Sequence, residues 1–239
     1  MFRKGFVYLF VLGVMTASAS TPTDRAVQAA LSKDLAKYAN IKVEVEDRIV
    51  ELSGTVPSYL DKLAIARKAK SYGAVTHVTN LVAVDGPRLP DQELGEKLAR
   101  TLAYDRTNQG SVFNWFTVTV EDGKVTLAGY ARNYVDRDSA LFIVASAAGV
   151  RDVENKVEVL PVSVYDDQIR ILAARRIYGG ATIQIAINPV HPIRIIVKNG
   201  KVTLEGSVLT KVDRALAQAR LAGIMGIFSV KNHLEVTRG

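Results

Sequence analysis

Apolar positions recur along this chain with two different periods. A helical face comes first and is made of apolar residues at steps of four, Val27, Leu31 and Leu35. From Ile41 to Glu46 apolar and polar residues then alternate, which is the period of a half-buried strand. A second alternating stretch, Ile49 to Ser53, ends at Gly54. The pattern predicts a helix followed by two strands.

The same segment continues with a helix and a strand. Pro57-Ser58 opens the predicted helix over 59–72, and Gly73 closes it in the usual C-terminal position. A further strand is predicted over 78–84, and a short linker with two prolines and a glycine follows over 85–90. The predicted element order is αββαβ.

This pattern occurs three times. The turn and strand Gly123-Lys-Val-Thr-Leu-Ala-Gly129 return as Gly200-Lys-Val-Thr-Leu-Glu-Gly206, and Gly54 closes a weaker first copy. The closing glycines are 75 and 77 residues apart, and the later helical faces keep the same offsets: Leu94, Leu98 and Leu102, then Ile169, Ala173 and Ile177. We therefore predict three small domains over residues 23–85, 91–160 and 165–237.

Four sets of polar or small residues repeat in the same register. Asp24, Asp91 and Asp166 are interpreted as helix N-caps, and the closing glycines as backbone positions that need a positive φ or close packing. Three asparagines inside strands are expected to bond to a nearby turn, and three aspartates to lie in the first turn of the second helices: Asn80, Asn155, Asn232, Asp61, Asp136 and Asp213.

These residues resemble a known family. The pattern is a Val-x-Leu-x-Gly strand, a helix, and a stretch such as Gly149-Val-Arg-Asp-Val-Glu-Asn-Lys-Val-Glu-Val159. It is similar to the BON domain, the bacterial osmotically-inducible and nodulation module, in three copies over residues 23–238. The resemblance implies an α/β fold of the α+β sandwich type, each domain a small mixed sheet with two helices on one face. It also implies exported, non-enzymatic proteins that bind phospholipid surfaces or support the envelope under osmotic stress. Many such proteins have two copies, so a third departs from the usual arrangement.

Residues 1–19 have the pattern of an export signal. Arg3 and Lys4 precede an apolar run over 5–15, and Ala17-Ser-Ala19 fits a cleavage site. We expect cleavage after Ala19 and a periplasmic product; an uncleaved N-terminal anchor is the alternative. The chain has no cysteine, which excludes a lipoprotein anchor and disulfides. The net charge of +7, or +5 without the signal, favours anionic partners.

No catalytic or metal-binding motif is found in the sequence. His77, His191 and His233 occupy unrelated repeat positions, with no spacing typical of a metal site. We therefore expect no enzyme activity, no catalytic residue, no metal and no cofactor.

Two insertions between first helix and first strand distinguish the later repeats. Both are long and apolar for surface loops, at 106–116 and 179–192. The candidate contacts for a lipid or a partner protein are Arg106, Phe113, Trp115, Ile185 and Ile187. The alternative is that Phe113 and Trp115 extend a strand and cover the sheet, and that the alternation from Thr182 to Ile187 is an added edge strand.

Three functions follow as hypotheses. The first is an exported envelope protein that makes peripheral contact with anionic phospholipid. The second is a periplasmic scaffold that binds envelope proteins. RNA binding is the third, since KH domains share a similar element order, but the one Gly-x-x-Gly match, Gly223-Ile-Met-Gly226, is apolar and lacks flanking basic residues. We therefore expect no nucleic-acid partner; the oligomeric state stays open.

Overall fold

The computed structural model describes residues 21–104, 111–179 and 193–237. Contacts divide the chain into two compact units, one formed by Met1–Thr55 with Leu63–Val82 and the other by Val56–Lys62 with Ala83–Gly239. The second and third repeats thus fall within one unit.

The first repeat forms a sheet in which β2 is central. Its elements are α1 (Pro22–Asp34), β1 (Ile41–Glu46), β2 (Ile49–Val56), α2 (Tyr59–Lys70), β3 (His77–Asn80) and β4 (Ala83–Val84). β2 pairs antiparallel with β1 and parallel with β3, and β4 also pairs with β2. Alternate residues of β1 and β2 are buried, so one face of the sheet is apolar: Val43, Val45, Val50 and Leu52.

The second repeat follows the same order. Its elements are α3 (Asp91–Tyr104), a 3₁₀ turn (Ser111–Phe113), β5 (Trp115–Glu121), β6 (Lys124–Ala131), α4 (Tyr134–Ser146) and β7 (Asp152–Val159). The central strand β6 again pairs antiparallel with one neighbour, β5, and parallel with the other, β7.

The third repeat repeats this mixed sheet in the order β11-β9-β8. Its elements are α5 (Val164–Tyr178), β8 (Arg194–Lys198), β9 (Lys201–Glu205), β10 (Ser207–Val208), α6 (Lys211–Ala219), β11 (Ser229–Asn232) and β12 (Glu235–Val236). A small parallel pair, β10 with β12, extends it. The predicted fold class and the order αββαβ are confirmed in all three repeats.

The aspartate that precedes each helical face connects the first helix to the β-hairpin. Asp166 accepts hydrogen bonds from the backbone N–H groups of Asn199 and Gly200, both at 2.8 Å. Asp91 accepts them from Asp122 and Gly123 at 2.8 and 2.9 Å. In the first repeat Asp24 accepts the N–H of Arg48 at 3.1 Å. We call this contact the aspartate–hairpin bond.

The interpretation of two of these aspartates as N-caps was wrong. Thr21 caps α1 and Ser163 caps α5, and Asp24 and Asp166 lie three residues further on. The hairpin turns explain the difference. Both turn residues have positive φ, 51° and 71° at Asn199 and Gly200, so their N–H groups lie outside the strand ladder and need a separate acceptor.

The repeated closing glycines do not end their strands in the first two repeats. β2 continues past Gly54 to Val56, and β6 continues past Gly129 to Ala131. Their φ values are 113° and 110°, and a Cβ at Gly129 would lie only 2.1 Å from the carbonyl oxygen of Trp115. The glycine therefore lets the neighbouring strand pass very close, as expected for a structural role, but the predicted strand end was wrong.

The other repeated polar residues make local hydrogen bonds. The side-chain oxygens of Asn80, Asn155 and Asn232 accept the N–H of the residue two positions later, at 3.2, 3.0 and 3.2 Å. In the first and third repeats this bond falls where the predicted last strand divides into two short ones. The three aspartates lie in the first turn of the second helices, as expected, and their backbone N–H groups donate to the side chains of Ser58, Asn133 and Thr210.

Replacement of Asp166 by alanine should destabilise the protein strongly. Asp166 is 2% exposed, and its loss leaves two backbone N–H groups without their acceptor. We expect a loss of about 2 to 4 kcal/mol in the free energy of unfolding, measured by urea denaturation. Asp213→Ala is the control, because it removes only the capping-box carboxylate that accepts from the N–H and hydroxyl of Thr210, and it should cost about 1 kcal/mol. Equal effects of the two changes would contradict this role.

Asp24→Asn should make the thermal stability of the protein less sensitive to a fall in pH. Hydrogen bonds from the Thr21 hydroxyl, and then from backbone N–H groups, hold the pKa of Asp24 below its ordinary value. A lowered folded-state pKa stabilises the protein above the unfolded value of about 3.9, and this stabilisation is lost as pH falls through the folded-state pKa. The Tm difference between wild type and variant, followed by circular dichroism, should therefore be largest above pH 5 and shrink below about pH 4. A constant difference would contradict the assignment.

Candidate functional site

The described end of the second-repeat insertion packs into the third repeat. Phe113 lies in the 3₁₀ turn, is 8% exposed, and belongs to the hydrophobic core that the third repeat builds from α5, its sheet and α6. Val112 packs against the same core, while the 3₁₀ turn contacts β8. One aromatic side chain of the second repeat thus completes the core of the third.

Asn114 holds this turn in place from the side of the second repeat. It is 4% exposed, and its Oδ1 accepts the backbone N–H of Arg132 at 2.7 Å. Its Nδ2 donates to Asp136 Oδ2 at 3.1 Å, next to the start of α4. Both ends of the buried amide are satisfied, which fixes the direction in which Phe113 leaves the second repeat.

A charged network continues the junction on the surface of the third repeat. The guanidinium carbon of Arg132 lies 5.7 Å from the centre of the Phe113 ring, and its Nη2 lies 3.3 Å from Asp167 Oδ1. Asp167 Oδ1 also lies 2.7 Å from Nη1 of Arg170, whose Nη2 donates to the Val197 carbonyl at 2.6 Å. Arg170 is 2% exposed, and its Nε has no partner among the described residues. These groups depend on one another, since a buried arginine needs its carboxylate.

Two of the five candidate contact residues lie within the described residues. Phe113 lies in a core, and Trp115 is half-buried at the start of β5. Arg106, Ile185 and Ile187 lie outside the described residues, as does the stretch from Thr182 to Ile187.

The remaining junction residues could not have been found from the sequence. Asn114, Arg132 and Asp167 belong to none of the residue sets that repeat in register along the sequence. Only the extra length and apolar character of the insertion indicated that it packs on something.

Positive charge is concentrated in the third repeat. Residues 165–237 carry ten Lys or Arg and five Asp or Glu, a net charge of +5. Residues 91–160 carry eight against eleven, a net charge of −3, and residues 23–85 nine against eight, a net charge of +1. An anionic surface would therefore attract the third repeat most strongly.

Three lysines lie on one face of the third sheet, opposite the core. Lys198 and Lys201 are register partners across the hairpin, and Lys231 is the partner of Thr203 on β11. All three are exposed. Lys198 is 2.5 Å from Glu158, whereas Lys201 and Lys231 make no ion pair among the residues described. We call these three residues the lysine row.

The second repeat neutralises the equivalent row. Glu154 stands where the third repeat has Lys231, opposite Thr126 on β6. It lies 3.0 Å from Lys156 and 3.6 Å from Lys124, and its hydrogen bond with Lys156 holds the pKa of Glu154 below its ordinary value. The same sheet position is therefore ion-paired in the second repeat, whereas in the third it holds a lysine without an ion pair among the described residues.

Large apolar side chains are also exposed in the third repeat. Met225 and Phe228, in the loop between α6 and β11, are 92% and 81% exposed. The others lie around or within α5 and at the start of α6: Val162, Val164, Tyr165, Ile171, Leu172 and Val212. Apolar and positive groups thus occur together on this repeat.

Two classes of site are not found in the described part of the chain. Within residues 21–104, 111–179 and 193–237, His, Cys, Asp and Glu form no group of three that could hold a metal ion. The same residues contain no helix of the length and hydrophobicity needed to cross a bilayer.

Phe113→Ala should destabilise the third repeat although the residue belongs to the second. The change leaves a cavity in the third core, and we expect a loss of about 3 to 5 kcal/mol in the free energy of unfolding. Hydrogen exchange should accelerate in α5 and β8. Phe142→Ala is the control, because Phe142 is 63% exposed and should change stability by about 0.5 kcal/mol or less. Faster exchange confined to α3 and β5 would contradict the junction.

Solved structures give only a weak comparison. One match is a structure of CdsD, a structural protein of the type III secretion system of Chlamydia trachomatis. The two chains are 16% identical over 90% of this chain and 93% of that chain, with a TM-score of 0.26. The C-terminal domain of CdsD matches at 17% identity over 86% and 94%, with a TM-score of 0.22. No functional argument follows from scores this low.

The family comparison is decisive. No curated protein matches the chain. The model of the BON domain matches residues 21–86, 90–161 and 173–238, which together make up most of the sequence. The chain therefore belongs to the BON domain family and contains three tandem BON domains.

Proposed function

We propose that this protein is a non-enzymatic, exported envelope component that binds anionic phospholipid through its third BON domain. BON domains are non-catalytic modules, and membership of the family favours an association with the cell envelope. The concentration of positive charge in the third domain is the observation that carries the lipid proposal.

The lysine row supplies the attraction. Lys201 and Lys231 are exposed and unpaired among the described residues, so no protein carboxylate has to be displaced before they meet a headgroup. Each Lys or Arg close to an anionic bilayer contributes about 1 kcal/mol, which falls off within a Debye length of about 8 Å at physiological salt. A few such residues give reversible, salt-dependent binding, which suits a peripheral protein.

The second domain is unsuited to this role. This domain has a net charge of −3, and its Glu154 is ion-paired. An anionic membrane surface would therefore repel it. The protein then meets the membrane in one orientation, with the third domain nearest the lipid. An osmotic or envelope-stress role follows from that attachment.

A scaffold function is the alternative, and one feature of the second domain favours it. Val135 and Phe142 lie seven residues apart on α4, on one side of the helix, and are 75% and 63% exposed. Tyr134, 65% exposed, lies beside them, with the Arg137 guanidinium 4.9 Å from its ring centre. An exposed apolar face of this kind fits a partner protein better than a charged headgroup.

Co-sedimentation with vesicles tests the lipid proposal. Vesicles that contain phosphatidylglycerol should bind the protein, vesicles of phosphatidylcholine alone should not, and rising salt should weaken the binding. Equal sedimentation with both, or with neither, would overturn the proposal and leave the scaffold function.

Charge neutralisation locates the contact. Lys201→Gln with Lys231→Gln should weaken binding to anionic vesicles roughly tenfold to thirtyfold, since two contributions of about 1 kcal/mol are lost. Lys124→Gln with Lys156→Gln removes two lysines from the matching face of the second domain and should leave binding unchanged. If both pairs weaken binding equally, the attraction is that of net charge alone and the assigned face is wrong.

A further inference from the structure

We infer that the loop between α6 and β11 of the third domain inserts Met225 and Phe228 into the apolar region of an anionic bilayer. The inference rests on the proposed function and names the part of the third domain that enters the membrane. The lysine row would then bring the domain to the surface, and the loop would hold it there.

The core fixes this loop although its tip is exposed. Leu221 and Ile224 are 2% and 6% exposed, and Ile227 packs partly against the same core. Met225 and Phe228 alternate with these anchors and are left outside. Two exposed apolar side chains are thus flanked by three that pack on the core.

Backbone contacts brace the loop further. Arg176 Nη1 donates to the Ala222 carbonyl at 2.5 Å, and the N–H of Phe228 donates to the Gly200 carbonyl at 2.9 Å. The Phe228 ring lies on the hairpin turn, within 2.5 Å of where a Cβ of Gly200 would be. Little conformational entropy remains to be lost when such a loop enters a bilayer.

The equivalent positions in the other domains show that folding does not require these side chains. The bond from Phe228 N to Gly200 O has counterparts in Arg151 N to Gly123 O and Thr76 N to Arg48 O, all at 2.9 Å. Phe228 therefore corresponds to Arg151 and Thr76. Three residues earlier, Met225 corresponds to Ala148 and Gly73. Only the third domain has large apolar residues at both positions.

The surroundings of the loop match an anionic bilayer. Phe228 directly precedes Ser229, which is the register partner of Lys201, and Lys231 follows two residues later on the same strand. The apolar tip is thus bordered by the lysine row. Membrane-surface segments combine the same two elements, apolar side chains at the depth of the acyl boundary and cations at the level of the headgroups.

Matched substitutions test the insertion. Met225→Ala with Phe228→Thr brings in residues that the equivalent positions already tolerate, so the fold should be retained. It should lower affinity for phosphatidylglycerol vesicles at least about tenfold and remove the binding that persists when high salt screens the lysines. Val135→Ala with Phe142→Thr removes exposed apolar residues from the second domain and should have no effect on vesicle binding.

A second readout measures depth directly. The chain has no cysteine, so Met225→Cys gives a single labelling site. An environment-sensitive fluorophore there should shift to the blue on addition of anionic vesicles and be quenched by nitroxide-bearing lipid, whereas the same label at Val135→Cys should stay in water.

The outcomes separate the two claims. Vesicle binding that is intact in Met225→Ala/Phe228→Thr, with a label at 225 that remains in water, overturns the insertion and leaves the proposed function standing. A loop that contacts a partner protein would give that result. No binding of the wild-type protein to anionic vesicles overturns both claims.

Discussion

The bond between an aspartate of the first helix and the turn of the β-hairpin is the interaction on which each domain depends. A tight turn with positive φ at both central residues turns backbone N–H groups away from the ladder, and they need an acceptor. Asp91 and Asp166 each bind two such groups, and Asp24 binds the N–H of Arg48. Because the aspartate belongs to the helix, the same bond that satisfies the turn also docks the helix on the sheet. In the third domain the arrangement places Gly200 under the ring of Phe228, so the turn also supports the exposed loop.

The sequence predicts this scaffold well because its determinants repeat. Periods of four and two, the closing glycines and the turn dipeptides give the element order and the three copies. It predicts geometry less well where one residue type serves two purposes. An aspartate near a helix start predicts an N-cap, yet Asp166 accepts hydrogen bonds from a turn that begins 33 residues later. A glycine after an alternating stretch predicts the end of a strand, yet Gly129 lies within β6. Glycine is needed there because the neighbouring strand passes too close for a side chain.

The junction between the second and third domains escapes such reasoning for a different reason. Phe113, Arg132 and Asp167 each act through a neighbour that is far away in sequence and occurs in one copy only. No periodicity marks a contact made once. The sequence does reveal the excess length of the insertion. The structure shows that the described end of the insertion packs into the hydrophobic core of the third domain. The described part of the site is therefore an interdomain contact at Phe113, while the exposed apolar residues lie elsewhere.

Three copies of one scaffold free each copy to differ where the scaffold makes no demand. The position bonded to the hairpin carbonyl holds threonine, then arginine, then phenylalanine, with the same backbone bond in each case. The outer sheet position holds an ion-paired glutamate in the second domain and, in the third, a lysine with no ion pair among the described residues. Both differences distinguish the third domain, one directly before β11 and the other on it. The proposed contact with an anionic, apolar phase would use both differences, and the junction at Phe113 would tie the second domain to that attachment.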